Sequence, residues 1–274
     1  MGASSPNDPA ASFQRSARAY EQLVALNQAG SRRLVRSLPD GPFARVLDVG
    51  CGTGFATMEV VAAGGVEQVM GVDSSPAMLE VFGERLAAHP GITAELRAAT
   101  ADSTGAPDQW ADLVLCTMAL HWFPDRPAAI GEMARALAPG GVLGILAPGE
   151  GHDRPTVDIL RATGDPLVAR LADSIVSNEI PVGWLDHQLR QAGLEPMDVW
   201  AETRERAVPP DALADRMDAV ATHLWAELPE DEQADVLARV RQVFRHAVSP
   251  DGLYRYRFVK TFATARRPRT GPAR

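Results

Sequence analysis

The sequence predicts an α/β protein whose sheet is mostly parallel and carries helices on both faces. Two observations predict this fold. Short apolar segments alternate with segments of helix length between residues 43 and 148, and the first apolar segment runs directly into a glycine-rich turn. Strands that are separated by helices pair in parallel, because each connection must cross over one face of the sheet.

The elements of the first half follow from periodicity and from helix end signals. Residues 13–38 have apolar positions at roughly helical spacing, which predicts a helix before the sheet. A helix after the first strand should stop at Gly64–Gly65, and the next should begin with Ser75 as its cap and Pro76 in its first turn. A third helix is predicted across PAAIGEMARALAPGG. The five predicted strands are RVLDVG, QVMGVD, ITAELRAA, ADLVLCTM and VLGILAP.

The second half continues the same sheet. We predict one or two helices over 153–195, a strand over 197–208 and an alternating last strand over 253–265. The predicted organisation is an N-terminal helical lead-in or lid (residues 1–42), a main domain (43–265) and a disordered basic tail (266–274). A helical cap, about residues 209–247, is inserted in the main domain before the last strand.

Composition excludes several classes of protein. The 274 residues carry a net charge of −8, which disfavours nucleic acid as the partner. No apolar run reaches the roughly 18 residues of a membrane span, and the first residues lack the pattern of a secretory signal. Cys51 and Cys116 are isolated, so we expect reduced thiols, a cytoplasmic location and no metal site.

The glycine-rich turn predicts a ligand that approaches the backbone closely. Gly50, Gly52 and Gly54 follow the first strand, whereas a dinucleotide site would place a further glycine where Phe55 stands. Asp48 precedes the turn, and a carboxylate there would repel a pyrophosphate but attract a cation.

Two further acids follow the next two strands and narrow the choice of ligand. Asp73 can accept both ribose hydroxyls, and Asp102 can accept a hydrogen bond from an adenine amino group. Three acids with no basic residue near the glycines fit a ligand that has adenosine and a positive charge but no phosphate. S-adenosylmethionine meets this description.

The motifs resemble those of the class I S-adenosylmethionine-dependent methyltransferases that act on small molecules, a subgroup similar to methyltransferase type 11. The likeness covers about residues 43–148 and extends more loosely over the chain. It implies a Rossmann-like sheet of seven strands, mostly parallel, with the last strand antiparallel. The motifs that carry it are VLDVGCGTG, VMGVDSSPAML, ATADS, ADLVLCTMALHWFPD and ALAPGGVLGI.

The resemblance also implies roles for individual residues toward S-adenosylmethionine and its product S-adenosylhomocysteine. Asp48 would hold the amino group directly or through water, and Gly50 and Gly52 would line the methionine part. Asp73 would bind the ribose with Ser74 beside it. The remaining implied contacts are Met78 and Asp102 with adenine, the Ser103 backbone amide with the same ring, Thr117 and Met118 with the sulfonium, and Tyr20 closing over the cofactor.

His121 is the candidate catalytic base, since it lies just past the strand that would face the methyl group. The alternative is a histidine packed beside Trp122 and Phe123. Paired arginines on the last two strands could clamp a substrate carboxylate or could simply face solvent. These are Arg204, Arg206, Arg255 and Arg257. Likewise, Trp184, Trp200 and Trp225 could line a substrate pocket or pack in the core.

The sequence therefore predicts a cytoplasmic methyltransferase of secondary metabolism, a monomer or homodimer acting on a small-molecule acceptor. Oxygen is the favoured acceptor atom, ahead of carbon and nitrogen. One alternative is a protein of this fold that binds the cofactor without transferring methyl groups. Another is a nicotinamide oxidoreductase, which Phe55 and Asp48 disfavour.

Overall fold

The computed structural model describes residues 25–269 of the chain. The strands are β1 (Arg45–Val49), β2 (Gln68–Asp73), β3 (Thr93–Ala98), β4 (Ala111–Thr117), β5 (Leu137–Pro148), β6 (Glu195–Val208) and β7 (Tyr254–Arg266). The helices are α1 (Ala25–Val35), α2 (Phe55–Ala63), α3 (Pro76–Leu86), α4 (Arg126–Ala136), α5 (Arg154–Ala162), α6 (Pro166–Ser177), α7 (Val182–Gln191), α8 (Pro210–Ala221) and α9 (Glu230–His246). Short 3-10 helices occupy Leu120–Trp122 and Thr222–Trp225.

The strands form one seven-stranded sheet in the order β3-β2-β1-β4-β5-β7-β6. Strands β1 to β5 pair in parallel, and β7 runs antiparallel to both of its neighbours. This is the Rossmann-like sheet that the sequence predicts, and its antiparallel last strand is confirmed. Strand order reverses between β1 and β4, which is where ligands bind in open sheets of this type.

Both faces of the sheet are buried against helices. On one face, Leu47 and Val114 pack in a core that includes Ile130 of α4 and Leu185 of α7. On the opposite face, Leu113 and its neighbours pack against α2, and Leu34 of α1 packs against β5 and β7. The predicted lead-in helix is thus described from Ala25, and its earlier part, with Tyr20, lies outside the described residues.

Local end signals set the helix boundaries near the first two strands. The Ser75 hydroxyl accepts a hydrogen bond from the backbone N–H of Met78 at 3.4 Å, and Pro76 opens α3. Helix α2 ends with Gly64 as its C-terminal cap. The predicted cap and the predicted stop are both confirmed.

The boundary between α4 and β5 differs from the prediction. Helix α4 ends at Ala136, and Leu137 already pairs with Ala111, five residues before the predicted strand begins at Val142. Pro139 explains this, because proline disfavours helical geometry in the residue before it and lacks the N–H that a helix requires. Residues 153–195 also hold three helices rather than one or two.

The chain stays ordered beyond the predicted start of the tail at residue 266. Strand β7 includes Arg266, and the Arg267 guanidinium donates hydrogen bonds to three carbonyl oxygens at the end of α4 and the start of β5. These carbonyls belong to Ala134, Arg135 and Leu137. A multiply bonded arginine fixes residues 266 and 267 in the fold, and residues 270–274 of the predicted tail lie outside the described residues.

The helices around residues 209–247 share a second apolar core with α5, α6 and the first half of β7. Trp225 is fully buried there, and its indole N–H donates to the carbonyl of Leu167 in α6 at 2.9 Å. Helices α5 and α6, which the sequence did not connect with the cap, therefore belong to the same packed unit. None of the helices within residues 25–269 combines the length and apolar character that crossing a membrane requires.

We predict that Gly54→Ala lowers the free energy of unfolding by about 2–5 kcal/mol. Gly54 has φ +76°, and a Cβ there would lie 1.9 Å from the ring of the buried Phe82. Gly193→Ala is the matched control, since Gly193 has φ +77° with no atom within 4 Å of the added carbon, so only about 1–2 kcal/mol should be lost. Urea unfolding measures both, and equal losses would contradict the predicted collision with Phe82.

Candidate active site

A cavity of about 470 Å³, the main cavity, opens at the carboxyl ends of β1, β2 and β4. Its floor is the glycine-rich turn with Phe55 and the end of β2. One wall comprises residues 99–102, another comprises residues 117–119 and 122–125, and α1 contributes three polar side chains. The three side chains are Asn27, Gln28 and Ser31. A cavity at the reversal of strand order is the expected ligand site of this fold.

Asp73 joins the two turns that form the floor of the main cavity. One carboxylate oxygen accepts the backbone N–H of Gly52 at 2.8 Å, and the other accepts that of Ser75 at 2.9 Å. Burial raises the pKa of Asp73, while these N–H donors and that of Ser74 act in the opposite direction. The carboxylate is therefore held rigidly with its remaining lone pairs available in the cavity wall.

Asp48 lies behind the glycine turn and does not line the main cavity. Its Oδ2 accepts the Thr57 hydroxyl at 2.7 Å, whereas its Oδ1 has no hydrogen-bond partner within residues 25–269. Burial raises the pKa of Asp48 to about 7, against the hydrogen bond from Thr57 and with the repulsion of Asp73. Its implied contact with an amino group stays a prediction, and the geometry disfavours the direct form.

The end of β4 is conformationally unusual where it borders the main cavity. Met118 has φ +54°, a left-handed conformation that costs a non-glycine residue of order 1–3 kcal/mol. Its backbone N–H donates to the Leu146 carbonyl at 2.6 Å, and its side chain packs toward Leu34 and Phe262. The turn keeps Thr117 and Met118 in the cavity wall, and their contact with the sulfonium stays a prediction.

Asp102 and its neighbour Ser103 differ in whether they reach the main cavity. Asp102 lines the main cavity and is exposed. Ser103 does not line it, and its backbone N–H already donates to the Thr100 carbonyl at 3.2 Å. The predicted contact between the Ser103 amide and a ligand ring is therefore not supported by the geometry, because residues 100–103 close a local turn of their own.

His121 is buried beneath the site and is not among the residues that line the main cavity. Its ring packs on Trp122 with centroids 4.8 Å apart, and Nδ1 has no hydrogen-bond partner within residues 25–269. Burial, with smaller contributions from His152 and Arg126, lowers the pKa of His121 to about 3. An inaccessible, weakly basic imidazole is a poor proton acceptor, so the geometry favours the packing alternative over the candidate base.

The two cysteines are similarly unreactive. Burial raises the pKa of the Cys51 thiol well above its usual value, and the negative charges of Asp48 and Asp73 add to the effect. Burial likewise raises the pKa of Cys116. Neither thiol is activated as a nucleophile, since nucleophilic cysteines have a lowered pKa.

Comparison with known proteins agrees with this geometry. A family model described as "Methyltransferase domain" matches residues 46–141. The chain is 30% identical over 250 residues to the trans-aconitate 2-methyltransferase of Azoarcus sp. (strain BH72), which covers 90% of this chain and 96% of that protein. It is also 30% identical over 237 residues to the malonyl-[acyl-carrier protein] O-methyltransferase of Salmonella typhimurium, covering 85% of each.

This chain belongs to the class I S-adenosylmethionine-dependent methyltransferases. Solved structures support the fold: the YcgJ protein from Bacillus subtilis has a TM-score of 0.61 at 19% identity, covering 89% of this chain and all of that one. A phosphoethanolamine N-methyltransferase from Haemonchus contortus has a TM-score of 0.59 at 18% identity, covering 93% of this chain and 57% of that one. The protein is thus an enzyme, and its methyl donor is S-adenosylmethionine.

The main cavity of this methyltransferase fits its cofactor by two independent features. Gly52 lines the cavity, and a Cβ built on it would have no atom within 4 Å, which leaves open space against the backbone. Gly52 is also tied to the Asp73 carboxylate, which can accept further hydrogen bonds. A backbone open to close approach beside a fixed carboxylate is what a ribose with an attached amino-acid chain requires.

Sequence reasoning expected a lid from the lead-in segment but assigned no cavity-lining role to individual residues of α1. Asn27, Gln28 and Ser31 line the main cavity from α1, and Trp122 and Phe123 line it opposite. The signal for the helix was weak but present, because these three polar residues share one helical face at spacings of one and four. The three tryptophan candidates lie elsewhere: Trp184 packs against the core of the sheet, Trp200 stacks on Phe262, and Trp225 is in the cap core.

We predict that His121 stays neutral in the folded enzyme until the pH approaches 3, because burial disfavours the imidazolium. The unfolded chain binds that proton near pH 6.5, so the folded state should lose stability as the pH falls below 6.5. NMR titration of the imidazole signals measures this, with His121→Phe identifying the resonance. A titration near pH 6.5 would contradict the burial and restore His121 as a candidate base.

Proposed function

We propose that this methyltransferase esterifies a carboxylate oxygen of a small organic acid. The two relatives described above are named for trans-aconitate and for malonyl-[acyl-carrier protein], and both of these acceptors contain carboxyl groups. The matches cover 96% and 85% of the two relatives, so the likeness includes the cap region as well as the strands and turns that form the main cavity. Oxygen is thereby favoured over carbon or nitrogen as the acceptor atom.

The observation that carries methyl transfer is the link between Asp73 and Gly52 on the floor of the main cavity. With both carboxylate oxygens anchored by backbone N–H groups, the free lone pairs of Asp73 have a fixed direction. We assign them to the two ribose hydroxyls. Beside Asp73, Ser74 and Met78 would border the adenosine, Asp102 the adenine amino group, and Gly50 and Gly52 the methionine part.

When bound, S-adenosylmethionine supplies a methyl group activated by a sulfonium. The chain's own residues then have to hold the acceptor in line with that methyl and exclude water, and good alignment of this kind contributes several kcal/mol. Thr117 and Met118 would border the methyl group, and Trp122 and Phe123 give the cavity an aromatic wall. The left-handed conformation of Met118 keeps the backbone of Thr117 and Met118 at the wall of the main cavity.

A carboxylate acceptor needs no general base, and His121 is poorly placed to act as one. Carboxylic acids have pKa values near 4 and are ionised at neutral pH, so the attacking oxygen has no proton to lose. A hydroxyl or a carbon acid would gain about 10²–10⁴-fold from a positioned base. His121, with its pKa lowered to about 3 by burial, is poorly suited to that role.

We propose in addition that the enzyme is cytoplasmic, that it belongs to secondary metabolism and that it is a monomer or homodimer. We also propose that the helical cap covers the acceptor. The lid role of the lead-in segment is supported by α1, whose polar face lines the main cavity.

The acceptor class is tested with methyl-labelled S-adenosylmethionine and a panel of mono-, di- and tricarboxylic acids that includes trans-aconitate. We expect labelled product whose methyl group is released as methanol by mild base, since esters hydrolyse under conditions that ethers and amines survive. Asp73→Ala is the negative control. Transfer only to phenols, amines or carbon acids would contradict the carboxylate assignment while leaving the methyltransferase activity in place.

We predict that Asp73→Ala weakens binding of S-adenosylmethionine at least tenfold, because it removes the carboxylate that accepts the ribose hydroxyls. Ser103→Ala should bind the cofactor within twofold of the wild type, since Ser103 lies outside the cavity wall. Isothermal titration calorimetry measures both affinities, and thermal unfolding checks that each variant is folded. Equal affinities for the two variants would remove Asp73 from the proposed site.

A further inference from the structure

The connection between β3 and β4, residues 99–110, forms one wall of the main cavity without regular secondary structure. We call it the β3–β4 loop. Its residues 99–102 line the cavity, and they include Asp102, the proposed partner of the adenine amino group. At the start of the loop, the Ala99 backbone N–H donates to the Asp73 carbonyl at 3.2 Å. Asp102 is exposed, so its position depends on how the rest of the loop is held.

Glu132 of α4 holds the loop two residues beyond Asp102. Its Oε1 accepts the backbone N–H of Thr104 at 3.0 Å and the Thr104 hydroxyl at 2.5 Å. Thr104 is fully buried, and its hydroxyl oxygen also accepts the backbone N–H of Ala106 at 3.2 Å. Because this hydroxyl donates to α4 and accepts from the loop, it fixes the backbone of residues 104–106 against the helix.

Arg135, one turn further along α4, holds the carboxylate of Glu132 in place. Its Nε donates to Oε2 of Glu132 at 2.7 Å, and its Nη2 donates to the Ala106 carbonyl at 2.6 Å. It also forms an ion pair with Asp108. The hydrogen bond from Arg135 has the largest effect on the pKa of Glu132, and together with those from Thr104 it lowers that pKa against the effect of burial. We call Thr104, Glu132 and Arg135 the loop clamp.

Helix α4 places the loop clamp beside the main cavity. Asp125, which caps the helix, and Ala129 both line the cavity, and Glu132 follows Ala129 on the same face at a spacing of three. The side chain of Glu132 is only 11% exposed, and neither Glu132 nor Thr104 is among the residues that line the cavity. The clamp therefore acts on a ligand through the loop and does not contact the ligand itself.

We propose that the loop clamp positions Asp102 and thereby makes this enzyme selective for adenine over purines that lack the 6-amino group. The inference rests on the proposed function, in which Asp102 accepts a hydrogen bond from that amino group. Glu132 and Thr104 are positioning residues in this scheme. A purine with an oxygen at the same place offers the carboxylate no hydrogen, and the penalty is largest when the carboxylate is held so that it cannot turn away.

The test compares S-adenosylhomocysteine with S-inosylhomocysteine, which has an oxygen in place of the 6-amino group. Each ligand is titrated calorimetrically into the full chain, and the ratio of the two affinities is the selectivity. We expect the wild type to bind S-adenosylhomocysteine about tenfold more tightly. Asp102→Ala should reduce the selectivity to within twofold, because it removes the acceptor.

Two variants of the clamp leave Asp102 itself in place. Thr104→Val keeps the shape of the buried side chain and removes its hydroxyl, and Glu132→Gln removes the charge that binds Arg135. We expect each to lower the selectivity to about threefold, because S-adenosylhomocysteine loses more affinity than S-inosylhomocysteine. A merely structural role would weaken both ligands by the same factor and leave the selectivity unmoved.

Two further variants serve as controls. Thr104→Ser retains the hydroxyl and should keep the selectivity of the wild type. Glu232→Gln is the matched control for Glu132→Gln, since Glu232 is an exposed carboxylate of α9 that does not line the main cavity. It should also leave the selectivity unchanged. Thermal unfolding checks that each variant is folded, and if one clamp variant is not, the other decides.

Different results overturn different statements. A wild-type selectivity near one, or a selectivity that Asp102→Ala retains, would overturn the assignment of Asp102 and this inference with it. A selectivity that Asp102→Ala removes, but that Thr104→Val and Glu132→Gln retain, would overturn the role of the loop clamp alone. The carboxylate acceptor is tested separately by methyl transfer and would stand in either case.

Discussion

The carboxylate of Asp73 is the interaction on which the site depends. It lies at the end of β2 and accepts one backbone N–H from the glycine turn and another from the start of α3. Both backbone N–H groups need an acceptor, and the shared carboxylate supplies one to each turn. The floor of the main cavity is consequently fixed before any ligand arrives, and little conformational entropy remains to be lost on binding.

The rest of the molecule builds outward from this floor. Parallel strands end together there, and helices on both faces keep those ends from moving apart. The antiparallel β7 extends beyond β5 with β6 at its side, and the first half of β7 packs in the core of the cap while Lys260 and Phe262 face α1. The same ribbon thus supports the cap at one end and the lead-in helix at the other.

Most of the fold could be predicted from the sequence because its signals are local. Ser75 and Gly64 act at single helix ends, and apolar runs such as ADLVLCTM identify strands that are buried on both faces. The start of β5 was missed because Pro139 acts against a helical pattern that otherwise continues to Gly141. Ordering at Arg267 was missed for another reason, since its hydrogen bonds join residues that are far apart in the chain.

For the site, residue types were easier to predict than residue positions. Asp73, Met78 and Asp102 line the main cavity, whereas Asp48 and His121 lie behind its wall. Whether a side chain next to a turn faces the cavity or the core depends on tertiary packing, which a single sequence does not encode in any short pattern. Asn27 and Lys260 illustrate the same limit from the other side, because their contact spans 233 positions of the sequence.

The buried state of Cys51 and Cys116 has a practical consequence for biophysical work on this enzyme. Both cysteines are buried, Cys51 at the floor of the main cavity, and their thiols remain protonated at neutral pH, so maleimide dyes should react with neither at an appreciable rate. A single cysteine introduced on the surface of α1 and another on the cap would therefore be the selective attachment points for a fluorescent donor and acceptor. Distance changes between lead-in helix and cap could then be followed in otherwise unaltered protein.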